Sequence, residues 1–375
     1  MNVRPSSATS FVVRSEEPLN GGPSPEALSE SVLTPNEIFF VRNHGTVPEL
    51  SGAAHRLVVD GLVLTPLSLS LVDLEARFER VELASTIACA GQRRSELSEV
   101  EPIVGELPWG PEAVSSAVWS GWRLADVLRA AGIDPESAAA HVGFEGADVT
   151  ERMGRSFNYG ASIPLAKAFS PEVLLADRMN GEPLPPDHGY PLRVVVPGYI
   201  GARQVKWLTH IEVLEHSSEN YFQRVAYRMY PREMRSAGFD PLADNAAGIE
   251  LTELEVNSVI CQPLEGESVE AGPVTVRGAA YTGGDRTIST VEVSLDGGAA
   301  WHEARLIDMS GSPRPYLWRL FEAEIAPPAG PPRELQVVAR ARDSAGNVQP
   351  EYPSERWNFK GYMNNAWSRV NFRCG

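Results

Sequence analysis

The chain has 375 residues, 43% of them hydrophobic and 22% charged, which fits a folded globular protein large enough for two cores. A formal net charge of −16 argues against nucleic acid and against an anionic membrane surface as partners. The three cysteines, Cys89, Cys261 and Cys374, form no disulfide framework, CxxC pair, CxxCH haem motif or Cys/His zinc spacing, and no stretch of about 18 apolar residues predicts a membrane span.

Residues 1–30 are rich in Pro, Ser, Gly and Glu and read as an irregular lead-in with little structure. They hold neither a basic run followed by a long apolar one nor a twin-arginine pair, so the expected location is cytoplasmic. From 31 to 247 the chain mixes strand-like and helix-like patterns, an α+β signature. "HRLVVDGLV" alternates as a strand. "WRLADVLRAAGI" spaces Leu124, Val127, Leu128 and Ile133 as a helix that stops at Gly132. "PLRVVVPGYIGARQVKWLTHIEVLE" predicts a buried strand, a Pro-Gly loop and a second strand. "RMYPREMRSAGFDPLADNAAGI" reads as a linker. From 248 to 375 helical patterning nearly vanishes. Short strands recur, with a hairpin signal at Asp296-Gly297-Gly298, and predict an all-β, Ig-like sandwich.

Three stretches carry candidate chemistry. In "STIACAGQRRSEL" a lone thiol, Cys89, sits among small residues beside Arg93 and Arg94. It is a buried apolar residue, a soft metal ligand, or a nucleophile partnered by one of His44, His141, His188 and His210. In "FFVRNHG" a strand runs into Arg42, Asn43 and His44, donors suited to an oxyanion. In "DHGYPLRVVVPGYIGARQVKW" His188, Arg193, Arg203 and Lys206 flank a Gly-containing loop able to hold phosphate.

Together with "ELPWG", "YGASIPLAKA", "MNGEPLPPDHGYPLRVVVPGYIGARQVKWL", "GGDRTISTVEVSLDGGAAW", "AGNVQPE" and "WNFKGYMNNAWSRV", these stretches resemble the sulfite oxidase family, collinearly from about residue 31 to the end. The resemblance implies a mixed α/β molybdopterin-binding catalytic domain, 31–247, followed by an Ig-like β-sandwich dimerisation domain, 248–375, as in the plant-type enzymes without a haem domain. It implies a molybdenum–molybdopterin cofactor, with no haem and no flavin. Cys89 matches the molybdenum ligand. Cofactor contacts fall on Phe40, Val41, Arg42, Asn43, His44, Asp148, His188, Arg193, Gln204, Val205 and Lys206. Oxyanion and catalytic positions fall on Arg42, Arg94, Trp109, Tyr227 and Lys360. Lys360 stands in "WNFKG" where the family has arginine, so the charge is kept without the bidentate fork. Arg93 receives no role beyond a structural salt bridge.

The implied reaction is transfer of an oxygen atom from oxidised molybdenum to sulfite, giving sulfate, with two electrons passed to oxygen or a carrier protein. The implied assembly is a homodimer. A nitrate reductase module is the nearest rival. "YMNNAW" leans that way, whereas Tyr227 and Lys360 lean toward sulfite, and 375 residues leave no room for haem and flavin modules. A sulfoxide reductase on the same fold and a cofactor-free Ig-like scaffold stand further off.

Overall fold

The computed structural model describes residues 10–241, 243, 247–311, 313–327 and 330–375. Sequence expectation and structure part first at the N-terminus. Residues 1–9 of the expected irregular segment lie outside the described residues. The remainder forms a strand, Phe11–Glu16, that pairs antiparallel with Leu19–Pro23, followed by a short helix, Pro25–Leu28, capped by Ser24. Leu19–Pro23 also pairs with Val41–Arg42, in the register Asn20↔Arg42. The Gly-rich sequence "LNGG" hides this strand from propensity. It is needed because Gly22 lies so close to the Glu112 carbonyl that a Cβ would stand 2.1 Å from it.

Two five-stranded sheets frame the first half. One has the order Glu182–Pro183, Leu174–Met179, Val114–Arg123, Arg80–Ala88, with Arg193–Val195 also pairing Leu174–Met179. The other runs Leu67–Leu69, Leu57–Gly61, Leu208–Leu214, His141–Arg152, Arg155–Pro164. The strand pair expected around the Pro-Gly loop therefore splits between the sheets. The connection 196–207 crosses from one to the other and delivers Gln204 and Lys206 to the gap between them. The expected helix is present as Leu124–Ala130. It buries Leu124, Ala125, Val127 and Leu128, and Gly132 takes φ +79° just beyond it.

The second half packs a four-stranded sheet (Asn257–Gln262, Val274–Tyr281, Arg319–Ile325, Arg305–Ile307) against a five-stranded one built on Arg333–Asp343 and Ser368–Cys374. Ile260, Val276, Val291, Val293, Phe321, Val337 and Phe372 fill the space between them. At the Asp-Gly-Gly signal Ile288–Ser294 pairs with His302–Glu303 through a wider loop. Ser294 Oγ and Asp296 Oδ1 accept the Gly298 and Ala300 N–H groups there.

The halves are not separately packed. The larger apolar core draws Leu251, Leu254, Val259, Tyr281, Trp318, Tyr362 and Met363 from the second half onto Val196, Ile200 and Tyr227 of the first. Trp318 seals the joint, its indole N–H donating to the Val32 carbonyl at 2.7 Å.

Candidate active site

Strand Arg80–Ala88 ends at Cys89, which is fixed rather than mobile. Its N–H donates to the Ala113 carbonyl at 2.9 Å, and its sulfur accepts the Gly91 N–H at 3.4 Å. The side chain packs with Phe39, Phe40, Ile87 and Trp109 yet still reaches a cavity. Among the described residues no three His, Cys, Asp or Glu side chains gather as a metal site. A metal on Cys89 would have to arrive with its other ligands.

That cavity, about 650 Å³ and open to solvent, lies between the two five-stranded sheets of the first half. Its wall holds Arg42, Arg193 and Lys206 against a single carboxylate, Asp148. Arg193 and Asp148 are 4% and 5% exposed. Burial pushes the Arg193 guanidinium down to about 9 and holds the Lys206 ammonium well below its usual range, with Arg193 adding repulsion. It raises the Asp148 carboxyl, an effect that Lys206 opposes. Burial, then Lys206 and Arg193, drives His188 down to about 3, so this imidazole is neutral. Arg193 donates to the His188 and Gln204 carbonyls at 2.9 and 3.1 Å, while its Nε and the Asn43 Nδ2 have no protein partner. Lys206 Nζ donates to the Asp187 carbonyl at 2.8 Å and to Asn43 Oδ1. An excess of buried and half-buried cations with spare donors is costly alone and matches a large anionic ligand. The residues present therefore fit a pterin cofactor carrying phosphate and thiolates.

His44 is the pivot of the cavity. Arg42 Nη2 and Arg152 Nη2 both point at its Nδ1, at 3.1 and 3.3 Å. Guanidinium groups only donate, so Nδ1 accepts and the ring proton sits on Nε2. That Nε2–H then donates to the Tyr227 hydroxyl at 2.7 Å. Burial and the charges of Arg42 and Arg152 hold the imidazole neutral. Tyr159 and Phe222 stack on the ring, with centroids at 5.5 and 4.3 Å. Because the Tyr227 oxygen accepts from His44, its own proton is left to donate into the cavity. Burial raises this phenol above its usual range, and Tyr227 adopts φ +55°, a left-handed conformation unfavourable for a bulky residue.

The two adjacent arginines diverge. Arg93 takes φ +58° and helix Arg94–Val100 starts after it, so the side chains leave on opposite sides. Arg93 is 1% exposed and points into the second half, with a two-pronged bond to Glu96 at 2.7 Å. The salt bridge expected from sequence is there, but it is the smaller part of the role. Nη1 and Nη2 also reach Asn257 Oδ1 and the carbonyls of Ser258, Ala366 and Trp367. Arg94 instead lies between Gly91 and Gly361, where a Cβ at either would come within 2.6 Å of it. It donates to the carbonyls of Leu107, Lys360 and Gly361 and lies 5.3 Å over the Tyr362 ring. Tyr362 stacks on Tyr227 at 5.4 Å.

The structure thus gathers Phe40, Arg42, His44, Cys89, Asp148, His188, Arg193, Gln204, Lys206 and Tyr227 on one cavity wall. Asn43 stands behind Lys206. Val41 and Val205 are core residues whose backbones hold the neighbouring donors in place. Neither Arg94 nor Lys360 lines the wall: Arg94 lies over Tyr362, and Lys360 lies over Phe359 and Phe239. Trp109, fully buried, forms the floor under Cys89, and its indole N–H has no protein partner. Sequence reasoning missed Phe39, Ile87, Tyr159 and Trp207 on the wall, and Arg152 and Glu106 beside it. Phe39 had a signal in "FFVRNHG". Arg152 had none, since the hairpin His141–Arg152/Arg155–Pro164 brings it back over His44.

Comparison with known proteins gives the family. Residues 44–222 match the oxidoreductase molybdopterin binding domain, and 249–374 match the Mo-co oxidoreductase dimerisation domain. The chain is 46% identical over 362 residues to human mitochondrial sulfite oxidase, covering 96% of itself and 65% of that protein. It is 38% identical to Arabidopsis thaliana sulfite oxidase, covering 98% of itself and 94% of the relative. It is also 38% identical to barley nitrate reductase [NAD(P)H], covering 95% of itself and 41% of the relative. The crystal structure of the sulfane dehydrogenase SoxCD from Paracoccus pantotrophus superimposes with TM-score 0.75 at 27% identity, over 97% of this chain and 84% of that one. With its cationic cavity closing on Cys89, this chain belongs to the sulfite oxidase family.

Proposed function

We propose that the chain oxidises sulfite to sulfate with a molybdenum–molybdopterin cofactor ligated by Cys89. The observation that carries the reading is the cavity itself, in which half-buried Arg42 and Lys206 and buried Arg193 outnumber one carboxylate and lead to one fixed thiol. When bound, the cofactor supplies oxygen-atom transfer and holds the two electrons. Arg193, Lys206 and His188 hold its anionic end, and Asp148 accepts from its ring donors. Arg42, Arg94 and Lys360 offset the charge of the oxyanion, and Tyr227 donates its free hydroxyl proton toward it. The electrons leave to oxygen or a carrier protein. Residues 31–247 act as the catalytic domain. The Ig-like sandwich 248–375 joins two copies through an isologous face.

The chain spans 65% of the length of its human relative, and the names of the human and Arabidopsis relatives favour sulfite as substrate. The 38% identity to barley nitrate reductase, equal to that with the Arabidopsis enzyme and below the 46% with the human one, makes nitrate the second reading. Metal analysis after expression in a cofactor-competent host, with a ferricyanide-coupled sulfite assay, tests both. Equimolar molybdenum with sulfite turnover is expected. Reduction of nitrate by the reduced enzyme, without sulfite turnover, would reverse the choice, and absence of molybdenum would end both.

A further inference from the structure

Glu106 pairs with both of the cations that stand off the wall, Arg94 and Lys360. Its Oε1 is 3.3 Å from Lys360 Nζ and its Oε2 is 3.9 Å from Arg94 Nη2. Arg94 spends Nε and Nη1 on backbone carbonyls, so the remaining nitrogen, Nη2, faces only this carboxylate among the described residues. The Glu106 and Lys360 side chains are each 20% exposed and stand at the rim, whereas Arg94 at 4% is buried. The carboxylate is also electrically inside the pocket. After burial it is the largest influence keeping the Tyr362 phenol protonated, and its charge reaches Tyr227 and Arg42.

We propose that Glu106 is an internal counter-anion for the oxyanion pocket. It neutralises Lys360 and Arg94 while the pocket is empty and must yield them to an incoming sulfite or to sulfate. The proposal rests on the sulfite reading and names a specificity-determining residue within it. The 3.3 Å lysine–carboxylate contact at the rim is the part that gives way. Lys360 swings on a flexible stem with no bidentate partner to lock it, whereas an arginine fork there would grip Glu106 in two places. The competing carboxylate raises the sulfite concentration needed for half-saturation and loosens the grip on doubly charged sulfate.

The test is Glu106→Gln in the cofactor-loaded enzyme. The variant is expected to bind sulfate about tenfold more tightly by calorimetry and to show a matching fall in KM for sulfite, the effect falling on KM rather than kcat. Its affinity should also decline more steeply with added salt. In a Lys360→Met background the same change should gain less, because one of the two freed cations is gone. Thermal unfolding and molybdenum content, compared with the wild type, show whether the variant is intact. Unchanged or weaker sulfate binding in an intact Glu106→Gln protein would overturn the proposal. If the wild type fails to turn over sulfite, the sulfite reading falls. The calorimetric comparison, with sulfate and nitrate as probes, still decides the role of Glu106.

Discussion

Replacing Arg93 by methionine removes the charged anchor between the two halves of the molecule while keeping most of its volume. Six contacts radiate from its five N–H groups, and four of them end on the second half, at Asn257, Ser258, Ala366 and Trp367. Several of these acceptors keep another donor. Asn257 Oδ1 also accepts the Ser258 N–H, Ala366 O the Gln349 amide, and Trp367 O the Arg369 guanidinium. Glu96, 31% exposed in its side chain, can rehydrate. The loss is therefore less than the full penalty for orphaned buried groups. At a net contribution of about 1 kcal/mol for each of the four bonds, the expected cost is about 3–5 kcal/mol. Urea unfolding of the cofactor-free protein measures it as a lower midpoint at unchanged slope. Arg93→Lys keeps the charge without the fan of donors and should recover only part. A cost below about 1 kcal/mol for Arg93→Met would refute the anchor argument.

Cys89→Ser should abolish bound molybdenum while moving the stability of the cofactor-free protein by no more than about 1–2 kcal/mol, because only a weak Gly91 bond is altered. Retained metal would disprove the ligand assignment. Tyr227→Phe removes the one donor that His44 leaves free and should lower kcat about 100-fold with the cofactor still bound. A rate near wild type would show that this proton is not used. His188 titrates near 3 when folded, against 6.5 ordinarily, so below 6.5 the unfolded chain takes up a proton that the folded one refuses. The cofactor-free protein should lose stability as pH falls from 6.5 toward 3, by up to roughly 1.4 kcal/mol per unit, and His188→Gln should flatten that slope. Equal slopes would count against a neutral, buried His188.

What the sequence revealed followed from local rules. The helix ending before Gly132 needed only periodicity and a stop residue, and the sandwich half needed only recurrent short strands. A single thiol among small residues beside cations was legible as a candidate site, and the structure puts Cys89 on the cavity wall. The rest depended on conformations and contacts that pattern does not encode. Arg93 and Arg94 look alike in sequence, and one left-handed residue sends them in opposite directions. Trp109, expected near the oxyanion, is fully buried in one apolar cluster with Cys89, a contact that no local pattern announces. Leu19–Pro23 escaped notice because glycines needed for a close approach weaken the strand signal. Glu106 reads as one acidic residue among many, and only the return of the chain at 360 sets Lys360 against it beside Arg94.

That return sets the order of manufacture. The loop bearing Cys89 is pinned by the Met363 N–H on the Ala90 carbonyl at 2.7 Å, by the Asn364 side chain on the Arg93 carbonyl, and by Arg93 on residues 366 and 367. Asn364, Ala366 and Trp367 lie 271 to 274 positions further along the chain than the arginine they hold. While the first two hundred residues emerge, the thiol, both arginines and the cationic wall are already made, but the clasp around them is not. The finished pocket exists only once residues 363–367 have folded back onto the loop, so a ligand that needs the clasp binds after that return. A protein truncated before residue 363 would retain the thiol and the cationic residues yet lack the clasp that fixes the loop.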